Sequence, residues 1–313
     1  MTQTYISHDS AIGLISWKKA IEALRMGHLR PKAEVADVFL GPSDATLLNR
    51  AAYIEGLGYS VKAVTVMRDN ATKDLPTTQG AMMVFEPESG CLRAMIDSRL
   101  VTKIKTVSDS LLGVKLLARP DSKRVLIMGA GVIAKALVDA YLEVFPEMEQ
   151  IAVWARRSAQ AEQIVDDFRD ADTDIVVAHD LAESAASADI ISSATMTRTP
   201  VLMGDWISPG THVDLIGAFK ADMREADDTL IAKGAIFVDS RDTTLGHIGE
   251  LMIPIAAGVI SAENVRAEFY DLISMDQPGR ISDDQITIFK NGGGAHLDLM
   301  IGDYIIQAVE DAT

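Results

Sequence analysis

The chain has 313 residues, of which 48% are hydrophobic and 24% are charged, a composition typical of globular proteins. Its length indicates two domains, and its net charge of −16 argues against nucleic acid as a partner, because an acidic protein repels polyphosphate. Cys91 is the only cysteine, which excludes an internal disulfide. Without a secretory leader or an apolar run of membrane length, we expect a cytoplasmic protein with no membrane contact.

The N-terminal third is predicted to start with a helix and to continue with strands. Ser16 is positioned to cap a helix that extends to about residue 26. Strand patterns follow at residues 59–67, 80–85 and 92–96, and the last two must be antiparallel because the turn between them is too short for a crossover. Apolar residues then recur with helical spacing over residues 99–117, which predicts one long helix.

The middle of the chain alternates between short buried strands and helical segments. The strand patterns lie at residues 124–128, 151–154, 174–177, 190–193, 211–216 and 235–238. Helical patterns at residues 158–168 and 181–188 separate some of them. This alternation predicts an α/β fold with a doubly wound parallel sheet of the Rossmann type. One more strand is expected at 285–289, followed by a final helix at 296–309 that returns to the first domain.

The turn after the strand at 124–128 carries the pattern GxGxxA. Gly129 permits a tight turn, and Gly131 lets the backbone approach a pyrophosphate closely. Ala134 is small enough for the following helix to pack on the sheet, and Val132 and Ile133 lie between the two small residues. Because the motif stands between a strand and a helix, it predicts a dinucleotide bound at the helix N-terminus.

The residues that follow the second strand leave the choice between NAD and NADP open. An acidic residue that would grip the ribose hydroxyls of NAD is missing there, and Arg156 and Arg157 occupy the position. Two guanidinium groups can bind a 2′-phosphate. One arginine stacked on adenine and the other in solvent would suit NAD equally well.

A lysine lies within the apolar pattern of the strand at 59–67. Alternation places Lys62 on the same face as Val64 and Val66, where a charge is costly unless it is paired or held near a charged ligand. Lys105, near the start of the long helix, can line a pocket with Lys62. The alternatives are a lysine that reaches solvent from an edge strand and a solvated helix residue.

Several motifs together resemble the ornithine cyclodeaminase/mu-crystallin family over nearly the whole chain. They are Lys62-Ala-Val, Met82-Met-Val-Phe-Glu-Pro-Glu-Ser-Gly90, Val101-Thr-Lys-Ile-Lys105-Thr, Gly204-Asp-Trp-Ile-Ser-Pro-Gly210, Ile216-Gly-Ala, Arg224-Glu-Ala-Asp-Asp228, Val238-Asp-Ser-Arg241 and Phe289-Lys-Asn. The resemblance implies a homodimer with a discontinuous α+β domain for substrate binding and dimerisation at residues 1–119 with 290–313. Residues 120–289 would form the dinucleotide-binding domain, which takes NAD or NADP.

The resemblance also assigns site residues. The family's substrate lysine, which contacts the carboxylate or serves as acid/base, falls on Lys62, and its arginine at the start of the long helix is replaced by Lys105. Arg50 is the nearest candidate for a second carboxylate-binding arginine, with a surface role as the alternative. Cofactor contacts fall on Thr77, Lys105, Ser193, Thr195, Ile216, Gly217, Ala218 and Asn291.

Two further positions bear on the reaction. Cyclodeaminases of the family carry an aspartate where this chain has Phe219, so we do not expect cyclodeamination. His247 and Glu250 have the spacing of a metal-ligand pair, but without a third ligand we expect no metal.

The predicted function is that of an oxidoreductase that uses NAD(P)H to reduce a small 2-imino acid. Lys62, Lys105 and Arg50 would form a cationic pocket for an anionic substrate, with Lys62 as the proton donor. Two carboxylates suit this pocket better than one, so the favoured reaction converts iminosuccinate to L-aspartate. The alternatives are a ketimine reductase or alanine dehydrogenase of the same family, and a mu-crystallin-like binding protein that holds the nucleotide without turnover.

Overall fold

The computed structural model describes residues 4–42 and 44–313. They divide into two compact units: a first unit that extends to Ser108 and includes Gly294–Thr313, and a second unit formed by Asp109–Gly293. The sequence places the boundaries at 119/120 and 289/290, whereas the first division runs within a long helix. Continuous helical periodicity contains no trace of such a division, since both halves of the helix are regular.

The strands are β1 Thr4–Ile6, β2 Glu34–Leu40, β3 Ala45–Ile54, β4 Gly58–Met67, β5 Thr78–Phe85, β6 Leu92–Asp97, β7 Arg124–Met128, β8 Gln150–Trp154, β9 Asp174–Val177, β10 Ile190–Ser193, β11 His212–Leu215, β12 Ala235–Val238, β13 Val265–Glu268 and β14 Thr287–Lys290. The α-helices are α1 His8–Ala11, α2 Trp17–His28, α3 Ser98–Leu117, α4 Val132–Val144, α5 Ser158–Asp167, α6 Leu181–Ser187, α7 Asp228–Lys233, α8 Arg241–Thr244, α9 Gly249–Ala256, α10 Phe269–Ile273 and α11 Ala295–Glu310. Short 3₁₀ helices lie at Ile12–Leu14, Arg68–Lys73, Gly204–Trp206 and Ala262–Asn264. No helix in the described ranges has both the length and the hydrophobicity that a membrane crossing requires.

The first unit is built on a mixed sheet with the strand order β1-β6-β5-β4-β3-β2. Pairing is antiparallel except between β1 and β6. Helix α11 packs across β3 and β4 and against α2. Helix α11 lies close to β5 at Gly302, where a Cβ would be 2.9 Å from the terminal methyl of Met82 and 3.3 Å from a methyl of Val84. The Ser16 side chain caps α2 as predicted, and the helix ends at His28, two residues beyond the predicted end.

The second unit contains an entirely parallel sheet with the order β13-β12-β14-β11-β10-β7-β8-β9. This confirms the predicted doubly wound α/β fold. The strand expected at 285–289 is found at Thr287–Lys290, and its last residue, Lys290, is fully buried. Edge strand β13 was not predicted, since its four residues alternate charged and apolar side chains over too short a run to show a period.

Candidate functional site

The turn between β7 and α4 has the geometry of a pyrophosphate site. Gly129 has φ +119, and a Cβ there would lie 2.8 Å from the carbonyl oxygen of Ala194, so both conformation and space require glycine. Gly131 precedes α4, whose N-terminus has no side-chain cap, and nothing lies within 4 Å of the place a Cβ would take. Ala134 is fully buried, whereas Val132 is 71% exposed and Ile133 is half-buried. Uncapped N–H groups beside open space fit a dinucleotide phosphate.

The loops at the carboxyl ends of β10 and β11 are held together by Glu225. One carboxylate oxygen accepts hydrogen bonds from Ser193 Oγ (2.5 Å) and from Thr195 N (2.8 Å) and Oγ1 (2.6 Å). The other accepts from the backbone nitrogens of Gly217 (2.6 Å) and Ala218 (3.3 Å). Four residues predicted to contact the cofactor are therefore bound to one buried carboxylate. A fifth, Ile216, directly follows β11 and is buried.

The pKa of Glu225 is raised, because burial outweighs the lowering by the Lys290 charge and by the donors from Ser193 and Thr195. Each of these groups donates a hydrogen bond to a carboxylate oxygen, which offsets part of the cost of burying the charge. The sequence analysis did not identify Glu225 as a site residue. Glu225 lies within the Arg224–Asp228 motif of the family resemblance, and this position could have identified it from the sequence.

A second carboxylate stabilises the turn after β14. Asp239 Oδ2 accepts from the backbone nitrogens of Gly292 (3.1 Å) and Gly293. Asn291, predicted to contact the cofactor, is buried, and its Nδ2 donates to Ser110 Oγ (3.0 Å). Ser110 donates in turn to Asp214 (3.1 Å), whose pKa burial raises to about 7. A chain of hydrogen bonds therefore orients the Asn291 amide.

The two arginines after β8 are exposed. Arg157 Nε donates to Gln160 (3.0 Å), and no carboxylate of the described residues forms an ion pair with Arg156. Both arginines therefore remain accessible to a nucleotide, and the choice between NAD and NADP stays open.

In the first unit, Lys62 and Arg50 lie opposite each other on β4 and β3. Lys62 is only 5% exposed, and its Nζ lies 2.6 Å from both carboxylate oxygens of Asp298 on α11. Arg50 binds Asp37 through Nε and Nη2, with the shortest distance 2.7 Å. The lysine is thus buried and paired, which rules out the alternative of an edge residue that reaches solvent.

Lys105 on α3 is 7% exposed, so the alternative of a solvated helix residue is wrong. Unlike Lys62 and Arg50, it forms no ion pair with a carboxylate of the described residues. Its charge nevertheless affects the pKa of Lys62. Burial lowers the pKa of Lys62, the Asp298 charge and hydrogen bond raise it, and the charges of Lys105 and Arg50 lower it further. The structure therefore brings together the three cations that the sequence selected, and adds Asp298, which it missed.

Two histidines lie near these cations. His296 and His28 are buried, with ring centroids 5.6 Å apart in an edge arrangement. Burial lowers the pKa of His28 to about 4. Burial, followed by the charges of His28, Lys105, Arg50 and Lys32, lowers the pKa of His296 well below its usual value. Both rings are therefore neutral at pH 7 and add no charge to the site.

Among the other residues selected from the sequence, Thr77, His247 and Phe219 are exposed and Glu250 is buried. Thr77 is exposed in the segment before β5, where its carbonyl accepts from Met67 N (2.8 Å), and its role stays a prediction. His247 is exposed, whereas the buried Glu250 accepts from the backbone nitrogens of Glu225 (2.7 Å) and Ala226, so the two do not share a site. Phe219 follows the loop after β11 and is 53% exposed.

A parallel sheet with an open glycine turn at an uncapped helix N-terminus defines the second unit as a dinucleotide-binding domain of the Rossmann class. The family model of the ornithine cyclodeaminase/mu-crystallin family matches residues 37–312, and the chain belongs to this family. The resemblance read from the motifs is thereby confirmed.

Three relatives show how similar the chain is to known proteins. It is 55% identical to a Delta(1)-pyrroline-2-carboxylate reductase of Paracoccus denitrificans, over 97% of this chain and 96% of that protein. Among solved structures, the Delta(1)-pyrroline-2-carboxylate reductase of Thermococcus litoralis in complex with NADH and L-proline has a TM-score of 0.91 at 28% identity, with 98% of each chain covered. The iminosuccinate reductase of Paracoccus denitrificans in complex with NAD⁺ has a TM-score of 0.90 at 25% identity, covering 99% of this chain and 97% of that one.

Proposed function

We propose that this protein uses NAD(P)H to reduce Δ1-pyrroline-2-carboxylate, a five-membered cyclic imine with one carboxylate, to L-proline. The general activity, NAD(P)H-dependent reduction of a small imino acid, is the one predicted from the sequence. The choice of substrate differs from the iminosuccinate that the sequence favoured. It is supported by the 55% identity to a reductase of this name and by the charges around Lys62.

The observation that carries the choice is the internal pairing of two cations. Of the three cations selected from the sequence, Lys62 is paired with Asp298 and Arg50 is paired with Asp37. The third, Lys105, is buried and has no ion-pair partner among the described residues. A single uncompensated cation matches one carboxylate better than two, because each additional buried anion needs its own counter-charge.

Each residue has a definite task in this proposal. Lys105 binds the substrate carboxylate. Asp298, 2.6 Å from Nζ, favours the protonated form of Lys62, which transfers its proton to the imine nitrogen. When bound, the reduced nicotinamide supplies a hydride to the C=N carbon. The uncapped N-terminus of α4 holds the dinucleotide phosphates, while Glu225 and Asp239 keep the loops beyond β10, β11 and β14 in place.

The decisive assay measures NADH and NADPH oxidation with purified protein and each candidate substrate. Δ1-pyrroline-2-carboxylate should give the higher kcat/KM, and L-proline should be identified as the product. Iminosuccinate, generated from oxaloacetate and ammonia, is the second candidate, favoured by the similarity to an iminosuccinate reductase. Cofactor binding without consumption for either imine would contradict the proposal and favour a binding protein.

The homodimer is also a proposal. Edge strand β2 is exposed along its whole length and carries Val35, Val38, Phe39 and Leu40, with Phe39 65% exposed. An apolar edge strand of this kind is a ready pairing surface for a second copy. Light scattering during gel filtration should give twice the chain mass, and Phe39→Glu should give monomers. A monomeric wild-type protein would contradict the proposal.

A further inference from the structure

We propose that Asp298 is a specificity-determining residue: by occupying the ammonium of Lys62, it restricts the substrate site to imines with a single carboxylate. Asp37 does the same for Arg50. The inference rests on the proposed function, because it names the feature that limits the substrates of that site.

The first support is the geometry of the buried pair. Asp298 lies in the first turn of α11 and is 1% exposed, and α11 packs across the strand that carries Lys62. Lys62 Nζ lies 2.6 Å from each carboxylate oxygen and donates to Oδ1. Within the described residues, Oδ2 accepts no further hydrogen bond. Lys62 is therefore the only ion-pair partner of Asp298 among the described residues.

The second support is that the three cations differ in whether the fold supplies a carboxylate partner. Arg50 forms three hydrogen bonds with Asp37, and this pair is partly exposed, with 18% and 29% of the side chains accessible. Lys105 is almost as buried as Lys62, yet it pairs with no carboxylate of the described chain. The fold thus supplies an internal anion for two cations and leaves the third to a ligand.

The consequence for a second substrate carboxylate follows from electrostatics. To bind Lys62 it must either displace Asp298, leaving that carboxylate buried without a partner, or lie beside it as a like charge. Both alternatives are unfavourable for a dicarboxylate imine and do not affect a monocarboxylate that binds Lys105. Removing the Asp298 charge relieves the restriction, since an entering dianion then supplies the missing partner of Lys62.

The test compares the wild type with Asp298→Asn and Asp37→Asn, and with Asp303→Asn as the matched control. Asp303 lies on the same helix and pairs with Arg93 instead of Lys62. For each protein, kcat/KM is measured with Δ1-pyrroline-2-carboxylate and with iminosuccinate. A loss of structure lowers both values together, so the ratio between the two substrates isolates specificity from stability.

We expect Asp298→Asn to shift the ratio toward iminosuccinate by about tenfold or more, as expected where one buried charge pair is altered. Asp37→Asn should shift it about threefold in the same direction, because its pair is partly exposed and screened. Asp303→Asn should leave it unchanged. In Asp298→Asn the alkaline limit of kcat/KM should also move to lower pH, because the anion that raises the pKa of Lys62 is gone.

The outcomes separate the two proposals. A wild type that prefers iminosuccinate contradicts the proposed function and this inference together. If the wild type prefers the cyclic imine and neither variant alters the ratio, the proposed function stands and the role of Asp298 and Asp37 is refuted. If Asp298→Asn does not fold by circular dichroism, Asp37→Asn decides: an unchanged ratio overturns the inference, and a shift supports it.

Discussion

Replacing Glu225 with glutamine tests whether one buried carboxylate holds the loops to which cofactor contacts are assigned. The amide oxygen of the introduced glutamine can keep the donors from Ser193 and Thr195, but its amide nitrogen cannot accept from Gly217 N and Ala218 N. Hydrogen bonds to charged groups contribute about 1.5–3 kcal/mol each. The bond from Gly217 at 2.6 Å counts in full and that from Ala218 at 3.3 Å about half, which gives a gross loss of about 2–4.5 kcal/mol.

A neutral amide is less costly to bury than a carboxylate, which offsets part of this loss. We therefore expect the free energy of unfolding to fall by about 2 kcal/mol. The loops after β10 and β11 should also lose their fixed separation, so KM for the dinucleotide should rise about tenfold while kcat changes little. Urea unfolding and initial-rate kinetics measure the two effects, and Glu183→Gln on the exposed surface of α6 is the matched control.

Glu225 does not hold these loops if Glu225→Gln unfolds at the wild-type urea concentration and has the wild-type KM for the cofactor. Loss of stability with an unchanged KM would limit Glu225 to a purely structural role. The same experiments on Glu183→Gln should reproduce the wild type, since its side chain is exposed and a change of surface charge has little effect.

Lys62→Ala should lower kcat by at least about 100-fold, the usual contribution of a general acid, and should destabilise the fold by leaving Asp298 unpaired. The double variant with Asp298→Asn should regain thermal stability but not activity; recovery of turnover would remove Lys62 from the mechanism. The pKa of Asp214, raised to about 7 by burial, means that the folded state favours the protonated form, so stability falls as pH rises from about 4 to 7. Asp214→Asn should abolish this contribution to the free energy of unfolding, which amounts to up to about 4 kcal/mol. Urea unfolding of the wild type and of Asp214→Asn at pH 5 and pH 8 measures it. The same pH dependence in the two proteins would contradict the prediction. Replacing Arg156 and Arg157 with alanine should raise KM for NADPH about tenfold and spare NADH, and equal effects on both cofactors would show that neither arginine recognises a 2′-phosphate.

Much of the second unit could be read from local patterns. Strands β7, β9, β10 and β12 have the bounds predicted for them, because buried parallel strands are short apolar runs between helical segments. Gly129 and Gly131 were identifiable as a dinucleotide turn since their roles depend on a few neighbouring residues. The family motifs added the residues of the loops beyond β10 and β11.

The charges that compensate Lys62 and hold those loops depend on contacts far apart in the chain. Alternation placed Lys62 on a buried face, yet its partner Asp298 is 236 residues away, and only the packing of α11 on β3 and β4 brings the two together. Arg50 was likewise selected without its partner Asp37, so the sequence did not show that two of the three cations are paired within the fold. Periodicity reports which side chains are buried, but the free energy of a buried charge depends on the groups packed around it.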